Sequence, residues 1–204
     1  MKRALFIALA IVAIGSTAAV AMLRTHQPPL PRYGEVPSFA LTATDGKAFG
    51  SRDLDGTPWV VDFVFTSCPE ICPRMSEEMA RLQTWLVNRG LAGRARLVSI
   101  SVDPDRDTAA VLRSYADRFH AHPANWIFLA GSQQAIEDAV VKGFKIAVTK
   151  EKVEGEQDSF SIVHGTKFVL VDGKRQIRGY YDSGDAASLA ALQRDFGALA
   201  DGAE

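Results

Sequence analysis

The run Trp59-Val60-Val61-Asp62-Phe63-Val64-Phe65 limits what this chain can fold into more than any other stretch. It is nearly continuous in apolar residues, as a central strand buried on both faces should be. Asp62 interrupts it. Further strand-like runs stand at Ser38–Thr42, Arg96–Val102, Trp126–Leu129, Lys167–Val171 and Gln176–Tyr181. Helical patterns stand at Pro73–Arg89, Thr108–His120, Gln133–Gly143 and Ala186–Leu199. The two kinds alternate through the middle of the chain, which predicts an α/β sheet with helices on its faces. Asp172-Gly173 is a hairpin signal, so the last two strands should pair antiparallel, with the final helix after them. Ala147–Ser161 is charged, with Lys150, Glu151, Lys152, Glu154, Glu156 and Asp158. It reads as an exposed loop or hairpin inserted ahead of Lys167, and its end delivers His164.

Lys2 and Arg3 precede an apolar run from Ala4 to Leu23, interrupted only by Gly15, Ser16 and Thr17 and closed by Arg24. About 20 such residues at 1.5 Å rise span a hydrocarbon core of roughly 30 Å. Residues 1–24 therefore read as a membrane anchor or a signal segment. An uncleaved anchor is preferred, because the run is longer than an ordinary h-region. The positive flank stays in the cytoplasm, which places the rest at the inner membrane, facing the periplasm or another extracytoplasmic space. Thiols there can oxidise. Thr25–Pro37 carries Pro28, Pro29, Pro31 and Pro37 and reads as an extended linker, leaving residues 38–204 as one domain. Apolar residues make up 47% and charged residues 23%, which excludes disorder. With 23 Lys+Arg against 24 Asp+Glu there is no basic excess, so no nucleic-acid partner is expected.

The chain has two cysteines, Cys68 and Cys72. They cannot build a disulfide-rich scaffold or a four-cysteine zinc site. They allow one disulfide, a reactive dithiol, or a metal site completed by other residue types. Both lie between the end of the central strand and a strong helix, and Pro73 suits that helix's first turn. Unpaired N–H groups and the helix dipole favour thiolate there. If the loop winds into the helix, residues four apart share a face and two sulfurs can meet on one ion or close a disulfide. Soft thiolates select Cu(I), zinc or iron–sulfur clusters, and Cu(I) accepts two or three ligands. A purely stabilising disulfide is a weak alternative, since so short a loop constrains the unfolded chain little.

Four histidines could add a ligand. His26 lies in the linker, and His120 and His122 flank a helix end in capping or surface positions. His164 stands just before the strand at Lys167, and alone it would more often be structural. Asp62 precedes Cys68 within an apolar strand, where burial would raise its pKa and allow proton relay. A hydrogen-bonded structural carboxylate is an equal reading. Met75, Met79, Leu82 and Leu86 follow helical spacing and read as a core-facing stripe rather than ligands. Asp103-Pro104 and Asp107 read as a loop turn and the N-cap of the helix that follows.

Three blocks in order resemble the SCO/SenC family: Phe63–Pro73 with its Cys-x-x-x-Cys-Pro core, Val98–Thr108, and His164-Gly165-Thr166 leading into Lys167–Val171 and Gly179–Asp182. The resemblance covers about Pro37 to Leu199. It implies a thioredoxin-like α/β fold with an N-terminal strand extension and an inserted hairpin. It implies copper held by Cys68, Cys72 and His164. It implies a copper chaperone for cytochrome c oxidase subunit II or a similar copper enzyme. A thiol-disulfide oxidoreductase that reduces the acceptor's cysteines is the alternative, with Cys68 attacking, Cys72 resolving and Asp62 assisting proton transfer. Asp62 departs from many family members and matches the spacing of the buried Asp in thioredoxins. Where thioredoxins place a cis-proline beside the dithiol, Val163-His164-Gly165-Thr166 stands instead, which favours metal over general disulfide exchange.

Overall fold

A computed structural model describes residues 29–146, 148–152, 160–164 and 166–202. The strands are β1 (Gly34–Glu35), β2 (Ala40–Ala43), β3 (Ala48–Gly50), β4 (Trp59–Val64), β5 (Arg96–Ser101), β6 (Trp126–Ala130), β7 (Val148–Lys152), β8 (Phe160–His164), β9 (Lys167–Val171) and β10 (Gln176–Asp182). The helices are α1 (Ile71–Asn88), α2 (Ala109–Arg118), α3 (Gln133–Glu137) and α4 (Ala186–Ala200). One sheet runs in the order β1-β10-β9-β4-β5-β6-β2-β3, and β7 and β8 form a separate hairpin. β4, β5 and β6 are parallel, while β9 runs antiparallel to β4 and β10 to β9. This is the expected α/β sheet, with three short strands ahead of β4 and a hairpin inserted before β9.

Every residue of β4 is buried. Alternation along the strand sends Trp59, Val61 and Phe63 to one face and Val60, Asp62 and Val64 to the other. On the first face Phe144 packs edge-on against Trp59 and Phe63, with ring centroids 5.7 and 5.2 Å apart. On the second face lie the Asp62, Ser99 and Trp126 side chains, joined by hydrogen bonds. The buried stripe of α1 is Cys72, Met75, Ser76, Met79, Leu82 and Leu86. Met75 and Met79 are core residues, as their spacing predicts. Each apolar side chain of that stripe contributes roughly 1.5–3 kcal/mol by leaving water.

The helix starts follow local capping chemistry. Thr108 Oγ1 accepts the Val111 N–H, Ser132 Oγ accepts the Ala135 N–H, and Asp185 accepts from Ala187 and Ser188. The α2 cap is thus Thr108, so Asp107 is not the cap its position suggests. Helix α1 differs, because Glu70 offers no side-chain cap.

Other departures from the sequence reading have physical reasons. The segment read as linker up to Pro37 joins the sheet at its end. Tyr33 N–H donates to the Ile177 carbonyl and Val36 N–H to the Arg175 carbonyl, and Val36 is fully buried. The charged excursion is no departure, since it carries the expected hairpin pairing, with Val148 opposite His164 and Lys152 opposite Phe160. The third helix lasts one α turn and relaxes into a π turn over Asp138–Gly143. Among the described residues no helix is long and apolar enough to cross a membrane. The apolar run from Ala4 to Leu23 lies outside those residues.

Candidate dithiol and metal site

The chain leaves β4 at Val64 and turns back at once, with the Cys68 N–H donating to the Phe65 carbonyl at 3.2 Å. Helix α1 begins at Ile71, two residues earlier than Pro73 suggests, and so takes Cys72 into its first turn. The two cysteines are therefore a loop residue and a helix residue. The Cys72 N–H donates to Cys68 Sγ at 3.3 Å, which supplies the cap that Glu70 does not. Neither cysteine is in a disulfide. Cys68 is 9% exposed and Cys72 is fully buried.

This geometry splits the chemistry of the pair. The Cys72 thiol hydrogen bond, helped by the backbone N–H groups of Cys72, Glu70 and Ile71, brings the Cys68 thiol down to about 5 against its partial burial. The same hydrogen bond and burial push Cys72 far above the ordinary thiol range. Cys68 is therefore a thiolate at neutral pH, resting on the N-terminus of a helix, and Cys72 holds the shared proton.

Beneath the pair lies a buried polar layer. Trp126 Nε1–H donates to Ser99 Oγ at 2.9 Å, and Ser99 O–H donates to Asp62 Oδ1 at 2.5 Å. Asp62 Oδ2 is buried with no hydrogen-bond partner. Burial raises the Asp62 carboxyl to about 7, and the Ser99 bond only partly opposes this. Ser76, one turn after Cys72, meets the Tyr115 hydroxyl at 3.0 Å. Burial pushes the Tyr115 phenol up, and negative charge at Cys72, Asp62 or Cys68 adds to this. Asp62 is thus buried, hydrogen-bonded through one oxygen, and within electrostatic reach of Cys72.

A second acid was misread from the sequence. Asp107 is 1% exposed. Its carboxylate accepts the Thr66 N–H at 3.1 Å, the Thr66 O–H at 2.5 Å and the Ser101 O–H at 2.6 Å. The available signal was Thr108 itself, a second capping residue at the next position.

His164 ends β8, and its side chain lies outside the described part of the structure. The strand that follows it, β9, is held in register by the sheet. β9 pairs antiparallel with β4, matching Trp59 with Val171 and Val61 with Val169. Lys167, at the start of β9, therefore lies toward the end of β4 from which the cysteine loop departs. His120 and His122 are exposed. The His122 ring accepts the Ala124 N–H at 3.3 Å, in the local role expected of it. Among the described residues no group of three or more His, Cys, Asp or Glu side chains gathers to hold a metal. Two thiols do meet there, and a third ligand would have to come from elsewhere.

The fold and the paired thiols define a thioredoxin-like dithiol protein. Residues 29–194 match the SCO1/SenC family, and the chain belongs to it. It is 38% identical over 147 residues to a SCO1 protein homologue of Bacillus subtilis, covering 71% of this chain and 72% of that one. It is 30% identical over 166 residues to a Stutzerimonas stutzeri protein named for copper binding, covering 81% and 76%. Its structure is similar to that of BsSco, described as a member of the Sco family of cytochrome c oxidase assembly proteins with a disulfide switch. That similarity has a TM-score of 0.71 at 31% identity and covers 86% of this chain and 98% of the other.

Proposed function

We propose that this chain is an extracytoplasmic copper chaperone that holds copper through Cys68, Cys72 and His164. It would deliver the ion to subunit II of cytochrome c oxidase or to a similar copper enzyme. The observation that carries the reading is the contact of Cys68 Sγ with the Cys72 N–H, which sets two sulfurs side by side at a helix start. Two thiolates and an imidazole form a soft donor set of the number Cu(I) accepts. The β9 register supports His164 as the third member, since it brings the chain just after His164 back toward the cysteine loop. The naming of relatives for copper binding and for cytochrome c oxidase assembly supports the same reading. Residues 1–24 would anchor the domain to the inner membrane.

Loading copper requires Cys72 to lose its proton, so uptake releases acid. Transfer would proceed by ligand exchange. Cys68, the more exposed sulfur, would share the ion with an acceptor thiolate first, and Cys72 would let go last. The test is metal analysis of the reduced chain after equilibration with Cu(I). One copper per chain is expected, falling at least tenfold in affinity in His164→Ala and to background in Cys72→Ser. Unchanged binding in both variants would overturn the proposal.

The split between the thiols favours a second reading, thiol-disulfide exchange. The Cys68 thiolate would attack an acceptor disulfide and release one acceptor sulfur as a thiolate. Cys72 would then give up its proton, displace the second acceptor sulfur and close the Cys68–Cys72 disulfide. Asp62 would receive the Cys72 proton. Iodoacetamide should label Cys68 down to about pH 5 while leaving Cys72 untouched. Asp62→Asn should slow disulfide reduction by metal-free protein about tenfold or more, as expected for lost general-base catalysis. An unchanged rate would remove Asp62 from the mechanism.

A further inference from the structure

Asp107 is a buried carboxylate whose hydrogen bonds go to the cysteine turn and the neighbouring strand end. Helix α2 does not need it, because Thr108 caps that helix. Burying a carboxylate is costly unless donors surround it. Here the donors are the Thr66 N–H, the Thr66 O–H and the Ser101 O–H. Thr66 lies 41 residues earlier in the chain and two before Cys68. Ser101 ends β5 and also accepts the Asp103 N–H at 3.2 Å.

The position matters because the sheet ladder stops there. The last rung joins the Val102 N–H to the Val64 carbonyl at 2.9 Å. Beyond it Asp107 accepts the Thr66 N–H. The turn that follows ends with Cys68 Sγ on the N-terminus of α1. A pinned start and a capped end leave little freedom for the sulfur between them.

We propose that Asp107 is a positioning residue for Cys68, acting through Thr66 to hold the sulfur against the first N–H groups of α1. The inference rests on Cys68 and Cys72 being the working thiols, but not on which metal or partner they serve. Releasing Thr66 would let the sulfur drift from those donors. The reduced form of the pair would lose stabilisation, and the disulfide would gain by comparison.

The test is the equilibrium of the full, metal-free chain with glutathione. Oxidation joins Cys68 to Cys72, and glutathione disulfide takes up the two electrons, with one proton from Cys72 and one from the buffer. Asp107→Asn should shift the equilibrium constant at least tenfold toward the protein disulfide, which is about 30 mV for a two-electron couple. Thr66→Val, which removes one donor and keeps the shape, should shift it the same way by less. Thr108→Ala weakens the cap of α2 and should lower stability without moving the constant. The proposal is overturned if both turn variants stay within twofold of wild type, or if Thr108→Ala moves the constant as far. If Asp107→Asn does not fold, Thr66→Val decides. Wild type that binds no copper, with these shifts present, would refute the copper reading and leave this one standing.

Discussion

Two buried acids sit on either side of the cysteine turn, and they are treated in opposite ways. Asp107, in the loop after β5, is surrounded by donors from Thr66 and Ser101. Asp62, inside β4, receives one hydrogen bond from Ser99 and keeps Oδ2 without a partner. Their exposures are nearly equal, at 1% and 0%. Burial alone therefore does not decide what a carboxylate is for. A saturated carboxylate works as a bracket, because moving it leaves several donors stranded. A carboxylate with a free oxygen is ill suited to hold anything on that side, and is well suited to gain or lose a proton.

The sharpest way to break the contrast is Asp107→Ala. It leaves the Thr66 and Ser101 donors without an acceptor and should cost roughly 2–4 kcal/mol in urea unfolding at pH 7. A loss below about 0.5 kcal/mol would be no more than a neutral surface change and would erase the distinction. Next comes Asp62→Asn, with the opposite sign. The Asp62 carboxyl is raised from 3.8 to about 7 in the folded chain. Below pH ~4 it is protonated in both folded and unfolded chains and carries no penalty. The folded chain loses stability as pH rises from there through about 7. Asp62→Asn should therefore match wild type at pH 4 and exceed it at pH 8 by roughly 1–3 kcal/mol. Equal stability at both pH values would mean that Asp62 is not held in a desolvated state. The smallest effect is that of Ser99→Ala. It removes the side-chain bond that favours ionised Asp62, so the pH at which stability falls should move upward, with a cost of about 1 kcal/mol. Trp126 loses the acceptor of its indole N–H in the same variant, and its emission should shift.

What the sequence made legible was local or periodic. The apolar run at Trp59–Phe65 marks the central strand. The Met75, Met79, Leu82, Leu86 spacing marks the buried face of α1. Asp172-Gly173 marks the last hairpin, where Val171 indeed pairs across to Ile177. Cys68 and Cys72 do come together, but through the Cys72 N–H on Cys68 Sγ rather than through a shared helical turn. What stayed hidden depends on pairing across long sequence distances. Nothing near Asp107 announces Thr66, and Asp107 therefore looked like the cap that Thr108 provides. Gly34 and Glu35 belong to the sheet because β10 offers an edge, whereas the surrounding prolines say only that the segment is extended. The spare oxygen of Asp62 is a fact about what the second face of β4 lacks, and a list of residues cannot show a missing donor.

The attachment of the N-terminal segment to β10 has a mechanical side. Arg178 forms a buried ion pair with Asp172 at 2.7 Å and donates from Nε to the Pro31 carbonyl at 3.0 Å. Together with the bonds of Tyr33 and Val36, it clamps the incoming chain to one margin of the sheet. A pull applied through the N-terminus is therefore borne at β1 and β10. Two strands, β10 and β9, stand between that margin and β4, from which the cysteine turn springs. Tension on the leading segment would strip hydrogen bonds from the edge before it strained the thiols, so the domain can be tugged without detuning its reactive end.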